Sequence, residues 1–413
     1  MIDSVAEPID IPMTEAGFMI TSVSVIPVKG IMMLQTCYPI PDPLPWTQIA
    51  TPLAAAEDAL ARLDERLAKS PIRAGWIART HFTDACASLW LEGALVHLDD
   101  LVLHDAGMDV RTPTHELTRA HTVLRTRRWI AEAKPDWALS AAGFAGLRGR
   151  GGQGKREERK HPRRDDDNDD EGADELACDE ALAVAEADNR LTSAFAAVDA
   201  AIAKAGRTFA GEIGSQAKGP PERDPLVYDL DWDEDERINV WRAVVDRTRN
   251  LPPALAAAIA ADAWSAIEPL QHTPWLGRLL AAALLCERGK TRWHLACLHD
   301  GLKAIPRERR RPRDGAARLA VQLEAIAAAA EAGLKDHDRW LTARTLLARK
   351  LDGRRSTSRL PALLDYVLTR PVVSATMIAE ELQITARAAQ DLVAELGLRE
   401  VTGRGRYRAW GVL

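Results

Sequence analysis

The chain is poor in the residues that build sheets and bind metals. Its 413 residues include only five Phe and four Tyr, and all aromatics together make 5%. Val and Ile are also sparse beside Ala and Leu. That balance favours helices over a large sheet. The five cysteines, Cys37, Cys86, Cys178, Cys286 and Cys297, are scattered and odd in number. None has metal-ligand spacing, so reduced thiols and no metal site are expected. No P-loop, dinucleotide fingerprint, nucleophile elbow or zinc pattern occurs, and no cofactor is expected. Neither sign of charge dominates. The net charge of −6 excludes a polyelectrolyte, so any nucleic-acid contact must come from a local basic face. No long apolar run is present either. Residues 18–34 are partly apolar, but Lys29 and Gly30 interrupt them. The start is acidic, unlike a secretory signal. Residues 1–45 read as a poorly ordered extension that could precede the natural start, since Met32 and Met33 are available. A cytoplasmic protein without membrane contact is expected.

What is present is helical periodicity. The pattern predicts helices over 51–69, 80–105 and 114–133, the second stopped by Ala106-Gly107. Residues 46–147 form an N-terminal helical region on this reading. Composition then changes. Residues 148–175, RGRGGQGKREERKHPRRDDDNDDEGADE, hold a basic block, an acidic block and almost nothing to bury. Such a segment reads as a disordered linker. A helical core is expected over 176–352. Its helices fall at 176–204, 236–249, 251–265, 276–287 and 293–305, followed by a long one at 316–351 with a break near Gly333. The 276–287 helix is alanine-rich and apolar, hence buried all round. His294 and His299 are read as surface or capping residues. The dispersed tryptophans, among them Trp76, Trp90, Trp129, Trp137, Trp241, Trp264, Trp275 and Trp293, read as core anchors.

The last unit, 353–413, shows helices at 356–369, 374–382 and 385–396, then an alternating stretch around Gly403-Arg404-Gly405 that reads as a hairpin. This is the pattern of a winged helix-turn-helix. Ala379 and Leu382 would pack the first helix of the motif, and Ala388, Leu392 and Leu396 the inner face of the recognition helix. Thr385, Arg387, Gln390 and Asp391 are left toward solvent, where base edges are reached in this motif. The hairpin carries Arg404, Arg406 and Arg408, which suit phosphate or minor-groove contact. Nine basic against six acidic residues give this unit a charge of +3. Double-stranded DNA is the expected partner and a homodimer the expected state. A packing or dimerisation module is the competing reading.

Two segments resemble Fic proteins. Residues 251–285, LPPALAAAIAADAWSAIEPLQHTPWLGRLLAAALL, are similar to the helix–loop–helix that carries the Fic active site, where a helix ends in HPFxxGNGRxxR. Here Ile267-Glu268-Pro269-Leu270 stands for the start of that motif, so Glu268 replaces the histidine base. Gln271–Trp275 replaces the phosphate-cradling glycines, and Gly277-Arg278 matches the motif's end. Thr273-Pro274-Trp275 offers no glycine nest, and Pro274 removes an N–H. Were the site active, Glu268 or His272 would act as base and Arg278 on phosphate. Trp275 would otherwise fill the vacated pocket. The second segment is 85–107, where Ser88, Glu92 and Gly93 fit the family's inhibitory pattern. Arg278 and Glu92 could pair there as a structural relic. Glu92 is equally one acid on an amphipathic helix. The whole resembles a family of Fic-related proteins from rhizobia and other alphaproteobacteria with a C-terminal helix-turn-helix.

The fold class implied is mainly α: a Fic-like bundle plus a winged helix of three helices and a small β-hairpin. The function implied is a DNA-binding transcriptional regulator on a catalytically degenerate scaffold. A nucleotidyl (AMP) transferase, and a non-enzymatic plasmid-maintenance or toxin–antitoxin component, are the alternatives.

Overall fold

A computed structural model describes residues 38–108, 112–150, 232–351, 358–401 and 408–412. The charged segment 151–175, the expected helix at 176–204 and the hairpin tip lie outside them, as do residues 1–37. The described chain is mainly helical. In order come α1 (Trp46–Ala68), α2 (Arg73–Leu91), α3 (Leu98–Asp105), α4 (His115–Glu132), α5 (Ala141–Arg150), α6 (Glu234–Arg247), α7 (Pro253–Ile267), α8 (Leu276–Glu287), α9 (Leu298–Ala304) and α10 (Gly315–Ala348). The C-terminal part adds α11 (Leu360–Thr369), β1 (Val373–Ser374), α12 (Ala375–Leu382), α13 (Ala386–Leu396), β2 (Arg399–Glu400) and β3 (Ala409–Gly411).

Local chemistry sets many of these ends. Thr114 caps α4 by accepting from the Leu117 amide, and Asp233 and Asp314 do the same for α6 and α10. Pro253 opens α7 at a position where the missing N–H costs nothing. The centre is α7 with α8. Ala254 to Trp264 are all buried, and Leu276–Leu285 are buried save Arg278. Around this pair stand α6, α9, α1 and α10, with α1 lying along α10. Tyr38, inside the expected extension, is buried and donates to Asp262 Oδ2 at 2.6 Å.

Three expectations are corrected. The helix expected over 80–105 is two helices. Gly93, at φ +89°, turns the chain after α2, and the Ala94 amide reaches back to the Leu89 carbonyl at 2.9 Å. The break near Gly333 does not occur, since α10 runs unbroken for 34 residues. Gly333 is there because Trp76 and Leu63 press on it. A Cβ would sit 2.9 Å from both, and its carbonyl accepts from Trp76 Nε1 at 3.0 Å. The inner face of α13 is Ala389, Val393 and Leu396, so Ala388 and Leu392 are only half-buried. The helix begins one residue after its Thr385 cap, and this phase points Ala389 at the core.

Candidate nucleic-acid interface

The C-terminal part folds as helix, strand, two helices and an antiparallel strand pair. Its sheet order is β1-β3-β2, with Val373 opposite Trp410 and Glu400 opposite Trp410 on the other side. Ser374 caps α12 through the Met377 amide, and Gln383 makes the turn in the left-handed region at φ +53°. Thr385 then caps α13, accepting from the Ala388 amide at 3.2 Å. Its hydroxyl proton remains free to donate outward. Gly397, at φ +67°, ends the helix.

Thr385, Arg387, Gln390 and Asp391 are all exposed along the first turns of α13. They therefore share one accessible edge, as the sequence suggested. Arg408 is held differently. Its guanidinium pairs with Glu400 at 2.7 Å and lies over the Trp410 ring. Arg404 and Arg406 lie outside the described residues.

This module is docked on the body through buried contacts the sequence reading missed. Arg79 of α2, 4% exposed, donates to the carbonyls of Val367, Leu368, Arg370 and Val412 at 2.6–3.3 Å. Three of these are the orphan carbonyls at the end of α11, where the helix dipole is negative. Burial lowers the Arg79 pKa to about 10, so it stays charged at neutral pH. Gly75, one turn earlier, lets the Leu368 carbonyl approach; a Cβ there would be 2.6 Å from its oxygen. At the end of α10, Lys350 Nζ donates to the Leu396 carbonyl at 2.7 Å and so caps the C-terminus of α13.

A second polar network lies inside the body. Asp84, fully buried, accepts from Arg127 Nη1 and from His299 Nδ1, both at 2.9 Å, and from the amides of His299 and Asp300. Arg127 also donates to the Leu295 and Ala296 carbonyls. Burial pushes the Asp84 carboxyl up, but Arg127 and His299 overcome it and hold it at about 2. The other His299 nitrogen lies 3.1 Å from the Trp275 carbonyl. His299 and His294, expected at the surface, are thus buried. Their reason is a carboxylate far away in sequence: Asp84 for one, and Asp64 at 3.4 Å for the other. Trp90 and Trp293, expected in the core, are 37% and 43% exposed. Arg310 and Lys303 lie against the first ring and Arg73 against the second.

The residues singled out by the Fic resemblance fall as follows. Glu268 is exposed and ends α7 in the left-handed region at φ +49°. His272 is exposed on the loop that follows, and Trp275 is buried. The Ser88 hydroxyl bonds within its own helix, to the Ala85 carbonyl at 2.7 Å. Glu92 pairs with Arg119 of α4, so the expected relic pair with Arg278 is not formed. Among the described residues no group of three or more His, Cys, Asp or Glu is arranged to hold a metal. No helix there is long and apolar enough to cross a membrane.

Comparison with known proteins bears on both parts. Residues 360–413 match the family described as an HTH DNA binding domain. Residues 226–352 match a family described as a protein of unknown function, DUF1612. A relative in Sinorhizobium fredii (strain NBRC 101917 / NGR234), the uncharacterized protein y4cF, is 48% identical over 396 residues, which is 89% of this chain and 97% of the relative. With that identity over nearly the full length of both, the chain belongs to the family of this rhizobial protein and carries a C-terminal helix-turn-helix DNA-binding domain.

Proposed function

We propose that the protein is a sequence-specific transcriptional regulator that binds double-stranded DNA as a homodimer. The observation that carries this is the solvent-facing start of α13, with Thr385, Arg387 and Gln390 side by side in a segment similar to HTH DNA-binding domains. The strand order around it supports a winged-helix reading, with the β2–β3 hairpin as the wing. Arg387 suits a guanine edge and Gln390 an adenine edge, while Arg404, Arg406 and Arg408 suit phosphate or the minor groove. One such module reads few base pairs, so two copies on a palindromic site would supply the specificity. We keep the Fic-like scaffold within this proposal as a body without chemistry. Its support is the α7–loop–α8 pair, in which Glu268 is solvent-exposed and the loop holds no glycine nest.

Selection of duplexes from a random pool, at two salt concentrations, tests the reading. An enriched two-fold symmetric site is expected, bound less tightly at the higher salt. Arg387→Ala or Gln390→Ala should each cost about 1–3 kcal/mol on that site and relax one base position. No enrichment at either salt would reduce the module to a packing unit.

A further inference from the structure

Three polar side-chain atoms sealed from solvent and without a hydrogen-bond partner fall on one stretch of chain: Trp264 Nε1, Thr273 Oγ1 and Arg278 Nε. They line α7, the loop and the first turn of α8. Gly277 presses this turn onto the Trp264 ring, since a Cβ there would be 2.1 Å from Cγ. The start of α8 has no side-chain cap, so its first amides lack the usual acceptor.

Arg278 sits in that first turn, where a cation opposes the helix dipole. The nearby carboxylates are already taken. Glu92 is paired with Arg119, and Asp84 is filled by Arg127 and His299. The charge that bears on Arg278 most strongly is another cation, Arg311, which is exposed. Burial and this neighbour lower the Arg278 pKa to about 10, which leaves it charged at neutral pH. A desolvated guanidinium beside a like charge, with a stranded hydroxyl and free helix amides, is costly unless an anion completes it.

We infer that the first turn of α8, with Thr273, Arg278 and Arg311, binds a small tetrahedral oxyanion, either phosphate or a phosphate monoester. Helix amides, a hydroxyl and two guanidinium groups supply donors from several directions, as such an anion requires. The site is remote from α13. It lies near the start of α10, whereas Lys350, just past that helix, touches the end of α13. At 1.5 Å per residue a helix of this length spans about 50 Å. The inference therefore goes beyond DNA binding, and ligand binding is measured without DNA.

The full chain should be titrated calorimetrically with inorganic phosphate, with glycerol phosphate and with a random duplex, against chloride at equal ionic strength. Saturable binding of one or both small anions is expected, with a rise in Tm. Arg311→Gln, an exposed change that keeps the fold, should weaken it about tenfold, and Thr273→Val should weaken it as well. Arg278→Gln should abolish it; because that change risks the fold, Arg311→Gln decides. No binding of either anion, or unchanged affinity in both Arg311→Gln and Thr273→Val, would overturn the site. Duplex binding that these variants weaken, with no response to the small anions, would also overturn it and assign the arginines to nucleic-acid backbone.

Discussion

Arg79 donates its Nε–H to the Leu368 carbonyl at 3.0 Å, across 289 residues of sequence. That single side chain meets the last carbonyls of α11 and the carbonyl of Val412, so it closes both ends of the C-terminal module at once. The module keeps its own helix-turn-helix fold but is oriented by the body.

Removing this clamp leaves several buried carbonyls without donors. Arg79→Met should lower unfolding free energy by about 3–5 kcal/mol. Denaturation followed by tryptophan fluorescence measures it. A loss below about 1 kcal/mol would show that the docking rests on apolar packing instead.

Gly333→Ala separates two physical effects of opposite sign. Helix propensity favours Ala by about 1 kcal/mol. Packing opposes it, because the new Cβ would meet Leu63 and Trp76 at 2.9 Å. We expect net destabilisation of about 1–3 kcal/mol. A stabilised variant would mean that those side chains yield freely.

The Asp84–Arg127 pair joins α2 to α4, both side chains nearly sealed from water. Asp84→Asn should cost about 3–5 kcal/mol, since it leaves the Arg127 charge without its partner. Urea unfolding at neutral pH reads this directly.

Acid should destabilise the protein in two windows. Burial lowers the pKa of His81 well below 6.5, and burial likewise lowers that of His294. Both are neutral when folded and take up protons on unfolding. Their contribution is complete above about pH 6.5 and falls below it, by up to about 1.4 kcal/mol per pH unit for each. Asp84, held at about 2, adds a second loss as pH drops from about 4 toward 2. Unfolding free energies measured from pH 8 to 3 should decline from the histidine window downward. A flat profile from pH 7 to 5 would contradict the buried neutral histidines.

Much of this was legible in the sequence where the cause is local. The bounds of α8, the caps Thr114, Ser374 and Thr385, and the stop at Gly397 each depend on a few neighbouring residues. So did the exposed edge of Thr385, Arg387 and Gln390, because an amphipathic helix declares its outer face. The inner face was displaced by one position, which the capping residue's own place explains.

The sequence by itself determined a mainly helical chain ending in a helix-turn-helix, because apolar period, capping residues and turn glycines act within one or two turns. Only the tertiary structure decided why Gly333 sits inside an unbroken helix, why His299 is buried, which partner Glu92 takes and how Arg79 holds the C-terminal module. Those outcomes depend on groups tens to hundreds of residues apart. Burial strengthens a charge's preference for a partner, and no local pattern names which distant partner the fold will bring to it.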